Sequence, residues 1–181
     1  MMTDFNFKRH FLLLGGAIVV LGCVSLLPLY DDALFASGLN GALHALTLVA
    51  SLQASATALR KLMFVVIAAA LSILTLYIGI ISLVALSVLP DAQRLPAVIA
   101  IGALCGAITY GSLVRIFWVP RIRSRVILGL AAVCAGATLI GYVLKLRFDW
   151  PGMWWLAAIW WLAFSMCLKF FAVPAPPKTA Q

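Results

Sequence analysis

The hydrophobic positions of this chain form long continuous blocks rather than an alternating pattern. Six blocks fall at about 11–29, 38–59, 62–89, 95–118, 126–146 and 152–172, and the breaks between them carry proline, aspartate or basic residues. A bilayer core about 30 Å thick needs about 20 apolar residues per helix, whereas barrel strands alternate over roughly 10 residues. The pattern therefore predicts an all-α, polytopic membrane helix bundle with six transmembrane helices.

Composition strengthens this prediction and limits what else the chain contains. Of the 181 residues, 65% are hydrophobic and 10% are charged, against about 45–50% and about 25% in a soluble domain. One water-soluble core of this size cannot bury such an excess, so lipid must solvate much of it. We expect one transmembrane domain over residues 1–173, followed by a short disordered tail, 174–181, that contains three prolines.

Basic residues are distributed unevenly between the two sides of the predicted bundle. If the amino terminus is cytoplasmic, ten of the 13 basic residues fall on the cytoplasmic side, and only Arg94, Lys145 and Arg147 fall outside. This bias predicts that both termini are cytoplasmic and favours a bacterial inner membrane. The short breaks, including a two-residue turn at Arg60-Lys61, predict three consecutive antiparallel hairpins.

Ionisable groups inside a bilayer are the first candidates for function, because each costs about 2.5–3.5 kcal/mol at a helix centre. The chain has no glutamate, and its aspartates all fall in predicted loops or tails. This absence of a buried carboxylate therefore argues against proton-coupled or sodium-coupled transport and against carboxylate-dependent catalysis. His44 is the one titratable group predicted to lie in the hydrocarbon, one to two turns below the outer end of the second helix.

His44 belongs to a predicted polar stripe on the second helix. It shares one helical face with Thr47, Ser51 and Ser55, at spacings of three, four and four residues. The stripe either lines a cavity that binds a ligand or bonds to neighbouring helices, at about 0.6–2 kcal/mol per bond. The second interpretation is the more common one for such residues.

A haem or metal site is not expected. His10 is predicted to lie at the cytoplasmic end of the first helix, separated from His44 by most of the membrane, which excludes a haem held by both. A metal site needs at least three converging ligands, and His44, Asp31 and Asp32 would supply them only if the first outer loop folded inward. We therefore predict no metal and no cofactor.

Small residues predict where helices pack closely. They recur every fourth position in the fourth and fifth helices, a spacing that lets backbones approach in lipid; the glycines concerned are Gly102, Gly106, Gly111, Gly136 and Gly141. Trp160 and Trp161 lie deeper than the interfacial tryptophans of the sixth helix. They either fill space between helices or face a partner, a lipid or a flat hydrophobic ligand.

The densest basic cluster follows the fourth helix and consists of Arg115, Arg121, Arg123 and Arg125. Cytoplasmic basic residues attract anionic lipid headgroups at about 1 kcal/mol per charge. An acidic partner or a phosphate-bearing substrate is an alternative, although orienting the helices would explain the charges. Because the charges sit between apolar blocks, nucleic-acid binding is not expected.

Three functions remain open at this level. The many packing faces and the scarcity of catalytic groups favour a non-enzymatic small subunit or accessory of a membrane assembly, with other membrane subunits or a second copy as partner. The polar stripe and the deep tryptophans favour an alternative, a protein that binds or transports a neutral or amphipathic solute. A lipid-modifying enzyme that uses the basic loop is the third possibility.

Overall fold

The computed structural model describes residues 6–51, 57–118, 124–148 and 154–171. Six α-helices account for nearly all of them, and within these ranges there is no strand. A 3-10 helix, Pro28–Asp31, joins the first two helices. The helices are α1 (Phe7–Val24), α2 (Ala33–Ser51), α3 (Ala58–Ala85), α4 (Asp91–Phe117), α5 (Ser124–Phe148) and α6 (Trp154–Phe171).

Five of these helices, α1 to α5, are long and apolar enough to cross a membrane. The part of α6 from Trp154 to Lys169 is a shorter apolar helix. The prediction of an all-α bundle that suits a multi-pass membrane protein is thereby confirmed. The cytoplasmic position of both termini stays a prediction, as does the domain over residues 1–173.

Polar caps start α1 and α2 earlier than the apolar blocks suggest. The Asn6 side chain accepts a hydrogen bond from the Arg9 amide at 2.9 Å, which starts α1. Asp32 accepts from the amides of Leu34 and Phe35 at 2.8 and 2.9 Å, which starts α2. Such caps satisfy amide groups that have no partner within their own helix.

The predicted two-residue turn at Arg60-Lys61 is wrong. Both residues lie in the first turn of α3, which begins at Ala58 after the capping residue Thr57. The Arg60 guanidinium donates to the carbonyl of Phe117 at the end of α4 and lies 5.2 Å from the centre of the Trp118 ring. Because Arg60 has partners on a neighbouring helix, the basic pair starts a helix instead of interrupting one.

The helices form a closed ring in sequence order. Each consecutive pair is packed together, and α1 also packs against α6. Neighbouring helices run antiparallel. Between α2 and α3, for example, Gly38 lies beside Ile73, whereas Gly41, further along α2, lies beside the earlier α3 residues Ala68 and Ser72. The start of α1 and the end of α6 consequently lie at the same end of the bundle, where His10 contacts Ser165.

The glycines predicted to lie at helix contacts occupy different environments. A Cβ atom at Gly141 would lie 2.7 Å from Ile159, and one at Gly111 would lie 3.2 Å from Ile127. At Gly106 the nearest contact, with Thr75, would be an ordinary 3.5 Å. At Gly102 and Gly136 a Cβ atom would meet nothing within 4 Å, so no helix contact there requires a small residue.

Candidate functional site

The two histidines lie side by side in the core, so the prediction that they are separated by most of the membrane is wrong. Their ring centres are 6.5 Å apart, and both side chains are fully buried. His10 lies inside α1 because that helix already begins at Phe7. His44 lies eleven residues into α2, about 16 Å along its axis, which brings it level with His10 on the antiparallel neighbour.

A hydroxyl group on α6 connects the two imidazoles. Ser165 Oγ lies 2.8 Å from His10 Nε2 and 3.4 Å from His44 Nε2. The other nitrogen of His10, Nδ1, lies 3.3 Å from the backbone carbonyl oxygen of Thr47. The three side chains therefore form a continuous hydrogen-bonded chain across α1, α6 and α2.

These partners determine which nitrogen of each neutral ring carries the proton. A carbonyl oxygen only accepts, so His10 Nδ1 carries hydrogen and His10 Nε2 accepts from the Ser165 hydroxyl. Ser165 Oγ in turn accepts from a hydrogen on His44 Nε2. We therefore assign a bare lone pair to His44 Nδ1 from the hydrogen-bond network.

Four aromatic rings surround the His44 imidazole. Tyr110 of α4 and Trp161 of α6 stack on its two faces, with ring centres at 5.0 and 5.6 Å. Trp160 and Phe164 of α6 meet it edge-on at 5.7 and 5.5 Å. These contacts hold the ring in one orientation, which sets the direction of its free nitrogen.

His44 and Tyr110 lie at the inner end of an elongated cavity with a volume of about 460 Å³. Its walls are mainly apolar side chains of α3 and α4, and no charged side chain contributes to the lining. On α3 the cavity extends from Leu71 to Leu83, about 18 Å along the helix. Leu83 and Leu95 at the opposite end are 42% and 39% exposed, so the cavity is accessible there.

Two buried polar atoms on cavity-lining residues have no hydrogen-bond partner. Within the described ranges, His44 Nδ1 and the Tyr110 hydroxyl are both buried and unpaired. Leaving a buried donor or acceptor unpaired costs about 1–3 kcal/mol. Most buried polar groups in native proteins are paired, so this pair marks a position where a bound molecule could complete the hydrogen bonding.

The residues of the predicted polar stripe separate into different roles. His44 lines the cavity, but Thr47 and Ser51 do not. Both are buried, and their hydroxyls bond to carbonyls of their own helix at 2.7 and 2.5 Å. Ser55 lies outside the described residues.

The two deep tryptophans line the cavity. Trp161 is buried, and the Trp160 indole donates a hydrogen bond to the Ala103 carbonyl at 3.3 Å. This bond links α6 to α4 across the ring of helices. Ligand contact by either ring stays a prediction.

Of the basic cluster, Arg115 and Arg125 are described, and neither lines the cavity. The Arg115 guanidinium donates to Ser124 Oγ at 3.0 Å and so joins the end of α4 to the start of α5. Arg125 is exposed, whereas Arg121 and Arg123 lie outside the described residues. Contact of these arginines with anionic lipid stays a prediction.

The two Nε2 atoms of the histidine pair share one hydroxyl neighbour, that of Ser165. Ser165 Oγ occupies the space between the two Nε2 atoms. In the described part of the chain, no cluster of three or more His, Cys, Asp or Glu side chains could hold a metal. Ser165 beside an imidazole resembles a nucleophile and its base, but Ser165 does not line the cavity.

Sequence reasoning missed three residues of this site. Tyr110 and Ser165 lie in apolar blocks and carry no distinguishing local pattern. His10 was not expected beside His44, because His44 lies eleven residues into α2 and not one to two turns from its outer end. In comparisons with known proteins, no family model, no curated protein and no solved structure matches this chain.

Proposed function

We propose that this protein binds a neutral amphipathic molecule in the cavity between α3 and α4. The apolar part of the ligand lies along the walls, and its polar head reaches His44 and Tyr110. The observation that carries the proposal is the pair of buried, unpaired polar atoms, His44 Nδ1 and the Tyr110 hydroxyl, on residues that line a mainly apolar cavity. This develops the second function predicted from the sequence, solute binding or transport.

The chemistry of the two polar atoms favours a hydroxyl as the head group. His44 Nδ1 offers a lone pair, whereas the Tyr110 hydroxyl both donates and accepts. An alcohol donates to the first and accepts from the second, and each bond contributes about 0.5–1.5 kcal/mol. A charged head would lose hydration worth several kcal/mol in a cavity whose lining has no opposite charge to replace it.

The dimensions of the cavity favour a slender apolar body. A volume of about 460 Å³ lies within the range of about 300–1,000 Å³ that small-molecule pockets occupy. Exposed side chains of α3 and α4, including Ile80, Leu83 and Leu95, border the accessible end. An apolar molecule dissolved in the bilayer would meet these side chains first, and in the predicted orientation they belong to the outer half of the membrane.

The other predicted functions receive no comparable support. A role as subunit of a membrane assembly stays a prediction, because exposed apolar faces on these helices are also what contact with lipid requires. Lipid modification by the basic loop stays a prediction as well. Arg121 and Arg123, on which it depends, lie outside the described residues.

A photoreactive long-chain alcohol tests the proposal directly. The protein is reconstituted in lipid vesicles, the alcohol carries a diazirine on its chain, and mass spectrometry locates the adducts after irradiation. We expect adducts on residues 71–83 of α3 and 95–110 of α4, with competition by the unlabelled alcohol but not by the alkane of equal length.

A matched pair of leucine variants separates cavity binding from general contact with lipid. Gly102 lines the cavity, and a side chain there meets nothing within 4 Å. Gly136 has equal space but does not line it. Gly102→Leu should lower labelling about tenfold, equivalent to about 1.4 kcal/mol, and Gly136→Leu should leave it unchanged. Adducts spread over lipid-facing residues, with no response to Gly102→Leu, would show that the proposal is wrong.

A further inference from the structure

The chain of His10, Ser165 and His44 continues from the inner end of the cavity towards the end of the bundle where α1 begins. We propose that these three side chains form a proton relay that carries a proton from the cavity to His10. In doing so, the relay changes His44 Nδ1 from a hydrogen-bond acceptor into a donor. Only the effect of the relay on the ligand rests on the proposed function, because the hydrogen-bonded chain of His10, Ser165 and His44 is present without a ligand.

The hydrogen bonds determine where a proton enters. Three of the four imidazole nitrogens of the pair are bonded to Thr47 or Ser165. His44 Nδ1 is the remaining one, and it has no partner among the residues that the structure places. It also belongs to a residue that lines the cavity, so the free lone pair is the point of entry.

The transfer balances as three proton movements. A proton from the cavity binds His44 Nδ1, and His44 then gives its Nε2 proton to Ser165 Oγ. Ser165 simultaneously gives its own hydroxyl proton to His10 Nε2. At the end Ser165 is again a neutral hydroxyl, His44 is a neutral ring with hydrogen on Nδ1, and His10 is an imidazolium.

The positive charge is better accommodated on His10 than on His44. Both N–H groups of a protonated His10 have acceptors, the Thr47 carbonyl and Ser165 Oγ. His44 lies deeper among aromatic rings, and their attraction for a cation, about 2 kcal/mol, is smaller than a desolvation cost of several kcal/mol. His10 also lies only one turn from the start of α1, nearer to water.

Among the residues that the structure places, titratable side chains of α2 and α4 contact members of the relay. His44 on α2 faces His10, and Tyr110 on α4 faces His44. The contacting side chains of α6 are Ser165 and aromatic rings that do not titrate. The cations at the His10 end of the bundle oppose a charge on His10, but solvent and salt screen exposed groups. Among the described residues these cations are Lys8, Arg9, Arg60, Lys61, Arg115, Arg125 and Lys169.

Transfer along the relay would change which ligand the cavity prefers. Before transfer, the lone pair on His44 Nδ1 suits a head group that donates, such as an alcohol. After transfer, the hydrogen on Nδ1 suits a head group that only accepts, such as a ketone. The proton would thus act as a switch between two classes of amphipathic molecule with similar apolar bodies.

Nitrogen NMR of the histidines tests the relay without any ligand. The chain contains two histidines, so protein with ¹⁵N-labelled histidine, in vesicles of phosphatidylethanolamine and phosphatidylglycerol, gives signals from two rings. His10→Gln and His44→Gln assign them. At high pH we expect hydrogen on His10 Nδ1 and on His44 Nε2. On acidification, His10 should become doubly protonated over the same pH interval in which the His44 hydrogen moves to Nδ1.

Variants at Ser165 show whether the hydroxyl transmits the change. In Ser165→Ala, His10 should still take up a proton while His44 keeps its hydrogen on Nε2, and Ser165→Thr should restore the coupled change. Ser82→Ala is the control, because that hydroxyl bonds to its own helix through the Ile78 carbonyl. If Ser165→Ala does not fold, the spectrum of the unaltered protein decides alone.

Two results would overturn the relay. One is a His44 ring that keeps hydrogen on Nε2 throughout the protonation of His10, and the other is a coupled change that persists in Ser165→Ala. Failure of the alcohol to label the cavity, together with the coupled change, would refute the ligand proposal and support the relay. Labelling of the cavity without the coupled change would support the ligand proposal and refute the relay.

Discussion

Gly41 lies where α2 crosses α3, and replacing it with alanine should separate the two helices. A Cβ atom at this position would come 2.7 Å from the Ala68 carbonyl oxygen and 2.8 Å from Ser72 Cβ, and it would also clash with Ser72 Oγ. The Ser72 hydroxyl can rotate away, but the carbonyl oxygen belongs to the α3 backbone and cannot. Gly41→Ala therefore requires α2 to move away from α3.

The size of the effect follows from these distances. Carbon atoms pack best at about 3.5–4.0 Å, so α2 must shift by about 1 Å, and a gap of that size loses a quarter to a half of the attraction across it. Overpacking of this kind typically costs about 1–3 kcal/mol. His44 lies one turn further along α2, so the shift would also disturb its stacking on Tyr110, now at 5.0 Å.

The free energy of unfolding of Gly41→Ala and Gly136→Ala, measured by titration with a denaturing detergent, tests this reasoning. Both changes gain the same helix propensity, about 1 kcal/mol, but a Cβ atom at Gly136 meets nothing within 4 Å. We expect Gly41→Ala to be about 1–3 kcal/mol less stable than the control. Equal stabilities within about 0.5 kcal/mol would refute the close contact at Gly41.

Two further predictions concern the ends of the bundle. Arg60→Ala removes the bond to the Phe117 carbonyl and the contact with the Trp118 ring. We expect the free energy of unfolding to fall by about 1 kcal/mol in the same detergent titration, with Lys61→Ala as the control. An unchanged free energy of unfolding would contradict a stabilising role for the contact. If both termini are cytoplasmic, a membrane-impermeant maleimide added to cells should label Arg147→Cys but not Lys8→Cys, in a background without the native cysteines. The reverse pattern would reverse the orientation.

The sequence alone determined that the chain folds as apolar helices. Block length and composition are local properties. No packing of the helices could bury so much apolar surface inside the protein, so lipid must cover the remainder. Helix ends were less predictable: the second block, 38–59, corresponds to a helix over Ala33–Ser51. A single capping side chain such as Asp32 decides where a helix starts, and it lies outside the apolar block.

Only the tertiary structure decided the composition of the site. His44 could be singled out from sequence because an ionisable group among apolar residues is conspicuous. His10 could not be placed beside it, because the relative position of α1 and α2 depends on both helix boundaries at once. Ser165 lies 155 residues from His10 along the chain, and only the packing of α1 against α6 brings the two together.

The cavity likewise has no signature in the sequence. Tyr110 and His44 become unpaired polar neighbours because α4 and α2 meet α6 at the height of Trp160 and Trp161. The sequence singles out His44, Trp160 and Trp161, but nothing in it indicates that they meet Tyr110. Helix formation is decided by neighbours in sequence, whereas a cavity and its hydrogen-bonded chain are decided by which faces of distant helices come into contact.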